Sequence, residues 1–195
     1  MRYTPEQQQE NRQAILTAAR KLFKEKGFGG IGIDAIAAAA GLTSGALYSH
    51  FSSKQALFEA ILEAELLDIS RRWLDKRAEG KPDWLDQWIT GYLSRGHQQN
   101  VATGCVLPSL SVDAARSGET AQRIYEELLL EAIDALETIM PDSHGLTSRE
   151  RVWGTLALLA GGIMLARATH SKEVAVQILQ ACRKMASSVN DAKGT

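Results

Sequence analysis

Gly41 interrupts a run of helical periodicity between two stretches that are each too short to stand alone, and nothing else in the chain constrains its fold so strongly. On one side lies "IDAIAAAAGL", on the other "TSGALYSHF". Isolated helices below roughly 12–15 residues are marginal in water. Two of them joined through Gly41-Leu42-Thr43 therefore need longer helices to clamp them. A short helix, a glycine-containing turn and a second short helix make a helix-turn-helix.

The clamps are legible on both sides. Thr4-Pro5-Glu6-Gln7 puts a threonine at the N-cap, proline at the first helical position and Gln7 in capping-box register. The helix this starts carries Ile15, Ala18, Ala19, Leu22 and Phe23 on one face, and Gly27 ends it. Ser52 and Gln55 read as a second capping box. They open a long fourth helix whose apolar face is Phe58, Ile61, Leu62, Leu66, Ile69 and Trp73. Gly80-Lys81-Pro82 breaks it, and Pro82 opens a fifth helix with Trp84, Leu85, Trp88, Ile89 and Tyr92. After "TGCVLPSL" a short sixth helix runs to Gly118, and a seventh runs from about Glu119 to Met140. "PDSHG" is a loop; Thr147 with Glu150 caps an eighth helix, and Ser171 caps a ninth. Convincing strand signals are absent. The expected fold is all-α, with about nine helices: a helix-turn-helix domain over residues 1–53 and a larger helical ligand-binding and dimerisation domain over 54–195.

Charge is distributed to match. Residues 1–54 hold seven Lys and Arg against four Asp and Glu; residues 55–195 hold 15 against 19. A basic front on an acidic body suits a small polyanion-binding head. No run of 18 apolar residues is free of charge, so no membrane span or membrane partner is expected. The N-terminus lacks the apolar core of a signal peptide. Cys105 and Cys182 are too few for a disulfide framework or a zinc site. The expected location is the cytoplasm, with no metal and no cofactor.

Across the two short helices Ile36, Ala37, Ala40, Leu42, Leu47 and Phe51 supply the buried side of the unit, leaving Thr43, Ser44, Gly45, Ala46, Tyr48, Ser49 and His50 exposed. Small residues at a helix N-terminus let the backbone approach a major groove. Ser and Thr hydroxyls can bond bases or phosphates, and alanine or threonine methyls can touch a thymine methyl. Tyr48 and His50 can reach phosphates, as can Lys54 in the first turn of the next helix, whose free N–H groups also suit a phosphate. An ordinary helical corner in a core is the competing account of the same residues.

Residues 27–62, "GFGGIGIDAIAAAAGLTSGALYSHFSSKQALFEAIL", resemble the DNA-binding domain of the TetR family of bacterial transcriptional regulators. The likeness is carried by Gly27-Phe28, Ile36-Ala37, Ala40-Gly41, Gly45-Ala46-Leu47-Tyr48, Phe51, Lys54 and Leu57. Two departures stand out. Ile31 and Gly32 replace the threonine or serine that usually caps the second helix and touches phosphate. The recognition helix also has no Arg or Lys, where many relatives carry one at Ser44, so bidentate guanine readout is not expected. Arg2 is a candidate for a minor-groove contact.

The resemblance implies a homodimer on a double-stranded DNA operator and an inducer pocket for a small molecule within the fifth to seventh helices. Candidate pocket residues are Trp84, Trp88, Tyr92, His97, Cys105 and Tyr125, though an aromatic core stripe explains the first three equally. Cys105 precedes a helix start, where the dipole favours a thiolate, and some relatives with a Gly-Cys here sense oxidants or electrophiles. Simple packing is the alternative for both cysteines. The last two helices resemble the family's dimer interface, with Trp153, Ala157, Leu158, Gly161, Leu165, Ile178 and Cys182 as candidates; a hairpin buried within one subunit competes. The function implied is a ligand-responsive regulator, a repressor that releases a palindromic operator when a small molecule or electrophile is sensed. A helical interaction scaffold and a small-molecule-processing enzyme are the alternatives. No phosphate-binding glycine loop, metal cluster or catalytic triad in the sequence supports the enzyme.

Overall fold

The computed structural model describes residues 4–78, 83–140, 142–143 and 145–190, without the side chains of residues 76 and 77. Arg2 and the expected break at residues 80–82 lie outside the described residues. The elements are α1 (Pro5–Lys26), α2 (Ile33–Ala39), α3 (Ser44–Tyr48), α4 (Lys54–Ala78), α5 (Trp84–Tyr92), α6 (Arg95–Gln99), α7 (Leu107–Arg116), α8 (Glu119–Glu137), α9 (Ser148–Ala168) and α10 (Lys172–Asn190). No strand forms among the described residues; an isolated bridge joins Ser143 to Leu146. No helix among them is long and apolar enough to cross a membrane.

Among the described residues ten helices replace the expected nine, because the fifth segment divides. Ser94 accepts the His97 N–H (3.2 Å) and starts the one-turn α6. The cap of α4 also differs by one position: the Ser53 hydroxyl, not Ser52, accepts from the Ala56 N–H (3.0 Å). Gln55 instead reaches Glu59 and the Ser117 carbonyl (both 2.8 Å). Other caps form as their residues dictate. Thr4 accepts from Gln7, Thr147 and Glu150 close a reciprocal box, and Ser171 accepts from Val174. Gly32 caps α2 with its backbone alone.

One hydrophobic cluster runs from the N-terminal helices into the body. Ile15, Phe23, Ile36 and Leu47 pack with Phe58 and Leu62 of α4, and the same cluster continues to Leu110, Ile133 and Val152. Phe23, Phe28 and Phe58 form its aromatic knot, with ring centroids 4.8–5.9 Å apart. The core is thus continuous through α4 across the division expected at residues 53 and 54. A second cluster, built on Ile89, Leu93, Leu159, Ile163 and Leu179, joins α5 to the α9–α10 hairpin.

Candidate nucleic-acid interface and ligand cavity

Gly41 turns the chain between α2 and α3 with φ at 71°, a left-handed conformation that suits glycine. The Leu42 N–H returns to the Ala37 carbonyl (2.9 Å). Thr43 then caps α3 by accepting from the Ala46 N–H (3.2 Å). Leu47 and Phe51 anchor the short helix inward. Thr43, Gly45, Tyr48 and Ser49 face solvent, while Ser44, Ala46 and His50 are partly covered; Tyr48 is 53% exposed. Four of the seven residues expected outside are therefore exposed, and the other three are only partly so.

Several of their polar groups are already engaged. The Ser44 hydroxyl donates to the Asp34 carboxylate of α2, and the Ser49 hydroxyl donates to the Ala46 carbonyl (2.6 Å). Lys54 differs most from expectation. Its ammonium donates to the carbonyls of Phe28 (2.7 Å) and Ile31 (2.9 Å) and sits over the Phe28 ring, so it ties down the α1–α2 loop rather than facing outward. Arg12, which sequence reading passed over, lays its guanidinium on the Phe51 ring, 4.8 Å from the centroid, beside the end of α3. Only the fold brings these two residues together, so no local pattern announces the pair.

In the body, α4, α5, α6 and the segment before α7 enclose a cavity of about 450 Å³. Of the six candidate pocket residues, Trp88, Tyr92, His97 and Cys105 line it. Trp84 and Tyr125 do not. Trp84 stacks on Trp88 (6.3 Å), and the Tyr125 hydroxyl is bonded to Ser111 (2.7 Å). Sequence reading missed Ile69, Arg72, Trp73 and Asp75 of α4, because the apolar spacing that marks Ile69 and Trp73 is equally that of core residues.

His97 is a strut rather than a free ligand group. Its Nε2 accepts from the Cys105 N–H (2.9 Å), which leaves the proton on Nδ1 to donate to the Tyr92 carbonyl (2.8 Å). Burial lowers its pKa below the ordinary histidine value. Cys105 also departs from expectation. Burial pushes its thiol up, outweighing the favourable contacts of Tyr92 and the Leu107 N–H. Arg167 braces the same junction through the carbonyls of His97 (2.9 Å) and Gln98 (3.1 Å) and the Ser109 hydroxyl (3.1 Å).

Between the cavity and α1 lies a buried charge cluster. Lys24 pairs with Glu65 of α4 and donates to the Gly104 carbonyl (2.8 Å); Arg20 holds the other Glu65 oxygen (2.8 Å). Gly104 lines the cavity and has no room for a side chain. A Cβ there would lie 2.8 Å from the Asn100 carbonyl oxygen and 2.9 Å from the His97 ring.

On the far side of the body, Trp153, Ala157 and Leu165 of α9 are exposed, Leu165 by 60%. Leu158, Gly161 and Ile178 are partly covered. Cys182 turns inward: a Cβ on Gly162 would sit 3.0 Å from its sulfur, so it fills the α9–α10 seam instead of the outer face.

Residues 15–61 match the family model described as bacterial regulatory proteins, tetR family. The chain is 40% identical over 84 residues to the HTH-type transcriptional regulator AcrR of Shigella flexneri, covering 43% of this chain and 39% of that protein. It is 36% identical over 90 residues to the uncharacterized HTH-type transcriptional regulator YfiR of Bacillus subtilis, covering 46% and 42%. The chain thus aligns with about two fifths of each of these relatives. The fold resembles that of reduced E. coli NemR, with a TM-score of 0.77 at 18% identity over 93% of this chain and 98% of that one.

Proposed function

The chain belongs to the TetR family of bacterial transcriptional regulators, and from that membership we propose that it is a cytoplasmic, ligand-responsive repressor that binds a two-fold operator as a homodimer. Residues 1–53 form the DNA-binding head and residues 54–195 the sensing and dimerising body. The observation that carries this reading is the α2–α3 pair. A five-residue helix is held by its neighbours with Thr43, Gly45, Tyr48 and Ser49 turned outward. Its small residues admit a close backbone approach in the major groove. Tyr48 and the neighbouring Arg12 supply groups for the phosphates, with Ser44 and His50 at the margin. The relatives are regulators, which favours a binding protein over an enzyme.

A signal from the cavity has a short route to the head. The Asp113 carboxylate of α7 accepts from the Phe28 N–H (3.1 Å), Gln55 holds the Ser117 carbonyl, and Lys24 holds the Gly104 carbonyl. Occupation of the cavity by a small molecule would move the segment before α7, and with it the separation of the two recognition helices. The raised thiol of Cys105 disfavours the electrophile version of this mechanism.

The test is binding to a DNA fragment carrying the chain's own upstream region, across a salt series and against a compound library. Expected are a footprint with half-sites roughly 34–36 Å or a multiple apart, affinity that falls steeply with salt, and release by a subset of compounds. Salt-insensitive or absent binding would overturn the DNA reading. A footprint that no compound loosens would overturn the ligand response alone.

A further inference from the structure

The Tyr92 hydroxyl is buried and has no hydrogen-bond partner among the described residues. The Cys105 thiol lies close enough to interact with it but is a weak partner. Burial holds the hydroxyl protonated well above the usual phenol range, so it is a donor. A buried hydroxyl left unbonded is costly, and native structures seldom carry one without a reason. Here the same side chain lines the cavity.

Most of the rest of the wall is aromatic and apolar. Trp73 and Trp88 meet edge to face at 5.5 Å, Trp88 and Tyr92 at 6.3 Å, and Ile69 closes the side. Charge is confined to the rim. Arg72 and Asp75 are exposed there, and Arg72 is already paired with Asp68 (3.1 Å). Deeper in, Lys24 is spent on Glu65 and Gly104, Arg167 on carbonyls, and both His97 nitrogens on the backbone. Among the described residues no unpaired charge is left inside the cavity, Asp75 being out at the solvated rim, and burying an uncompensated charge is strongly unfavourable.

We propose that the cavity takes a neutral, planar aromatic ligand whose carbonyl-type acceptor oxygen bonds the Tyr92 hydroxyl. The ligand's rings lie against Trp73 and Trp88, and its oxygen takes the hydrogen bond that the folded chain leaves unmade. This rests on the cavity being the sensing site, as argued above. Tyr92 is the specificity residue: it selects an acceptor at one end of a flat molecule, and the lack of unpaired charge selects against ions.

The experiment titrates intact protein by tryptophan fluorescence with four probes of one shape: 9-fluorenone, fluorene (which lacks the carbonyl), 9-fluorenone-4-carboxylate and N-methylacridinium. Fluorenone should bind saturably, and both ions at least about tenfold more weakly. Tyr92→Phe should weaken fluorenone about tenfold, about 1.4 kcal/mol, and leave fluorene unchanged. Trp88→Leu should weaken both. Unliganded Tyr92→Phe should melt no lower than the parent. An equal loss for fluorenone and fluorene in Tyr92→Phe, tighter binding of either ion, indifference to Trp88→Leu, or a lower melting temperature for Tyr92→Phe would each overturn the proposal. If none of the four binds while another compound releases the operator, and Trp88→Leu blocks that release, the ligand class is wrong and the sensing site stands. If no compound at all releases the operator, the sensing site itself falls.

Discussion

Single side chains here are largely spoken for, and that decides what substitution does. Lys54 reads in the sequence as a phosphate contact, yet its ammonium bonds two carbonyls of the α1–α2 loop. Hydrogen bonds to a charged group contribute about 1.5–3 kcal/mol when made. Lys54→Ala should therefore lower the thermal midpoint of the whole chain, while the salt dependence of DNA binding keeps its slope; a flattened slope would return Lys54 to the phosphates. Tyr48→Phe, by contrast, should weaken binding to all sequences with little change in stability, as a gel-shift series against a denaturation curve would show. His97 gives a pH prediction. Its folded pKa lies below the ordinary value because burial disfavours the imidazolium, whereas the unfolded chain takes up the proton near pH 6.5. Stability should be flat above about pH 6.5 and fall as the pH drops from there towards the lowered folded value. Below pH 6.5 the unfolded chain binds more protons than the folded one. Calorimetry of wild type and His97→Gln across pH 7.5 to 5.5 should show this slope in the wild type and a shallower one in the variant; parallel curves would assign the loss to other groups. Neither the Lys54 nor the His97 contacts were legible beforehand. Sequence spacing records which residues share a helix face, not which distant carbonyl a long side chain will reach.

At the level of elements the sequence was a good guide, because caps and apolar faces are local. Thr4, Thr147 with Glu150, and Ser171 start helices where their side chains can accept the first free N–H groups. The apolar spacing of α4 placed Phe58, Ile61, Leu62, Leu66, Ile69 and Trp73 inside, and all six are buried. Errors came where two local signals compete. Ser52 and Ser53 are adjacent potential caps, and only tertiary packing of α4 chooses between them. The α5–α6 break rests on the single cap at Ser94, too weak a signal by itself to mark a helix boundary. The α9–α10 hairpin shows the same limit. Its small residues suit close helix approach, but only the fold separates Gly162, which faces Cys182 within the subunit, from the exposed Leu165. This makes Leu165 a cleaner probe of dimerisation than the partly covered Leu158. Leu165→Glu puts a charge on the outer face, where it has no consequence for a monomer but would have to be desolvated between two copies. The variant should sediment as a monomer, lose operator binding and keep its helical circular dichroism. A dimer that persists would place the interface on another face.

The whole molecule depends on a link that no sequence pattern announces. Lys24 belongs to α1, which packs on the short α2, Glu65 to the long α4, and Gly104 to the cavity wall. All three meet in the interior, where Lys24 and Glu65 are almost fully covered. Removing one member of a buried ion pair is destabilising to the extent that the remaining charge loses its compensation. The arrangement therefore has little tolerance for a shifted Gly104 carbonyl, and Gly104 itself has no slack against Asn100 and His97. A ligand that presses on residues 103–105 should be felt at α1 through this contact. Lys24→Met alone should lower the melting temperature, because the buried Glu65 carboxylate is then left only to the half-exposed Arg20. Lys24→Met combined with Glu65→Leu removes both charges and keeps apolar bulk, a replacement that is often neutral for stability. The double variant should bind operator and ligand separately, yet show little change in operator affinity when a releasing compound is added. Coupling between sites is typically about 1–3 kcal/mol, or roughly 5–150-fold in affinity, so its loss is measurable by titrating operator with and without a compound that releases the wild type. A double variant that still lets go by the full factor would move the route to the other two links, Asp113 with Phe28 and Gln55 with Ser117. Asp113→Asn and Gln55→Ala, tested in the same assay, would then tell which of them carries it.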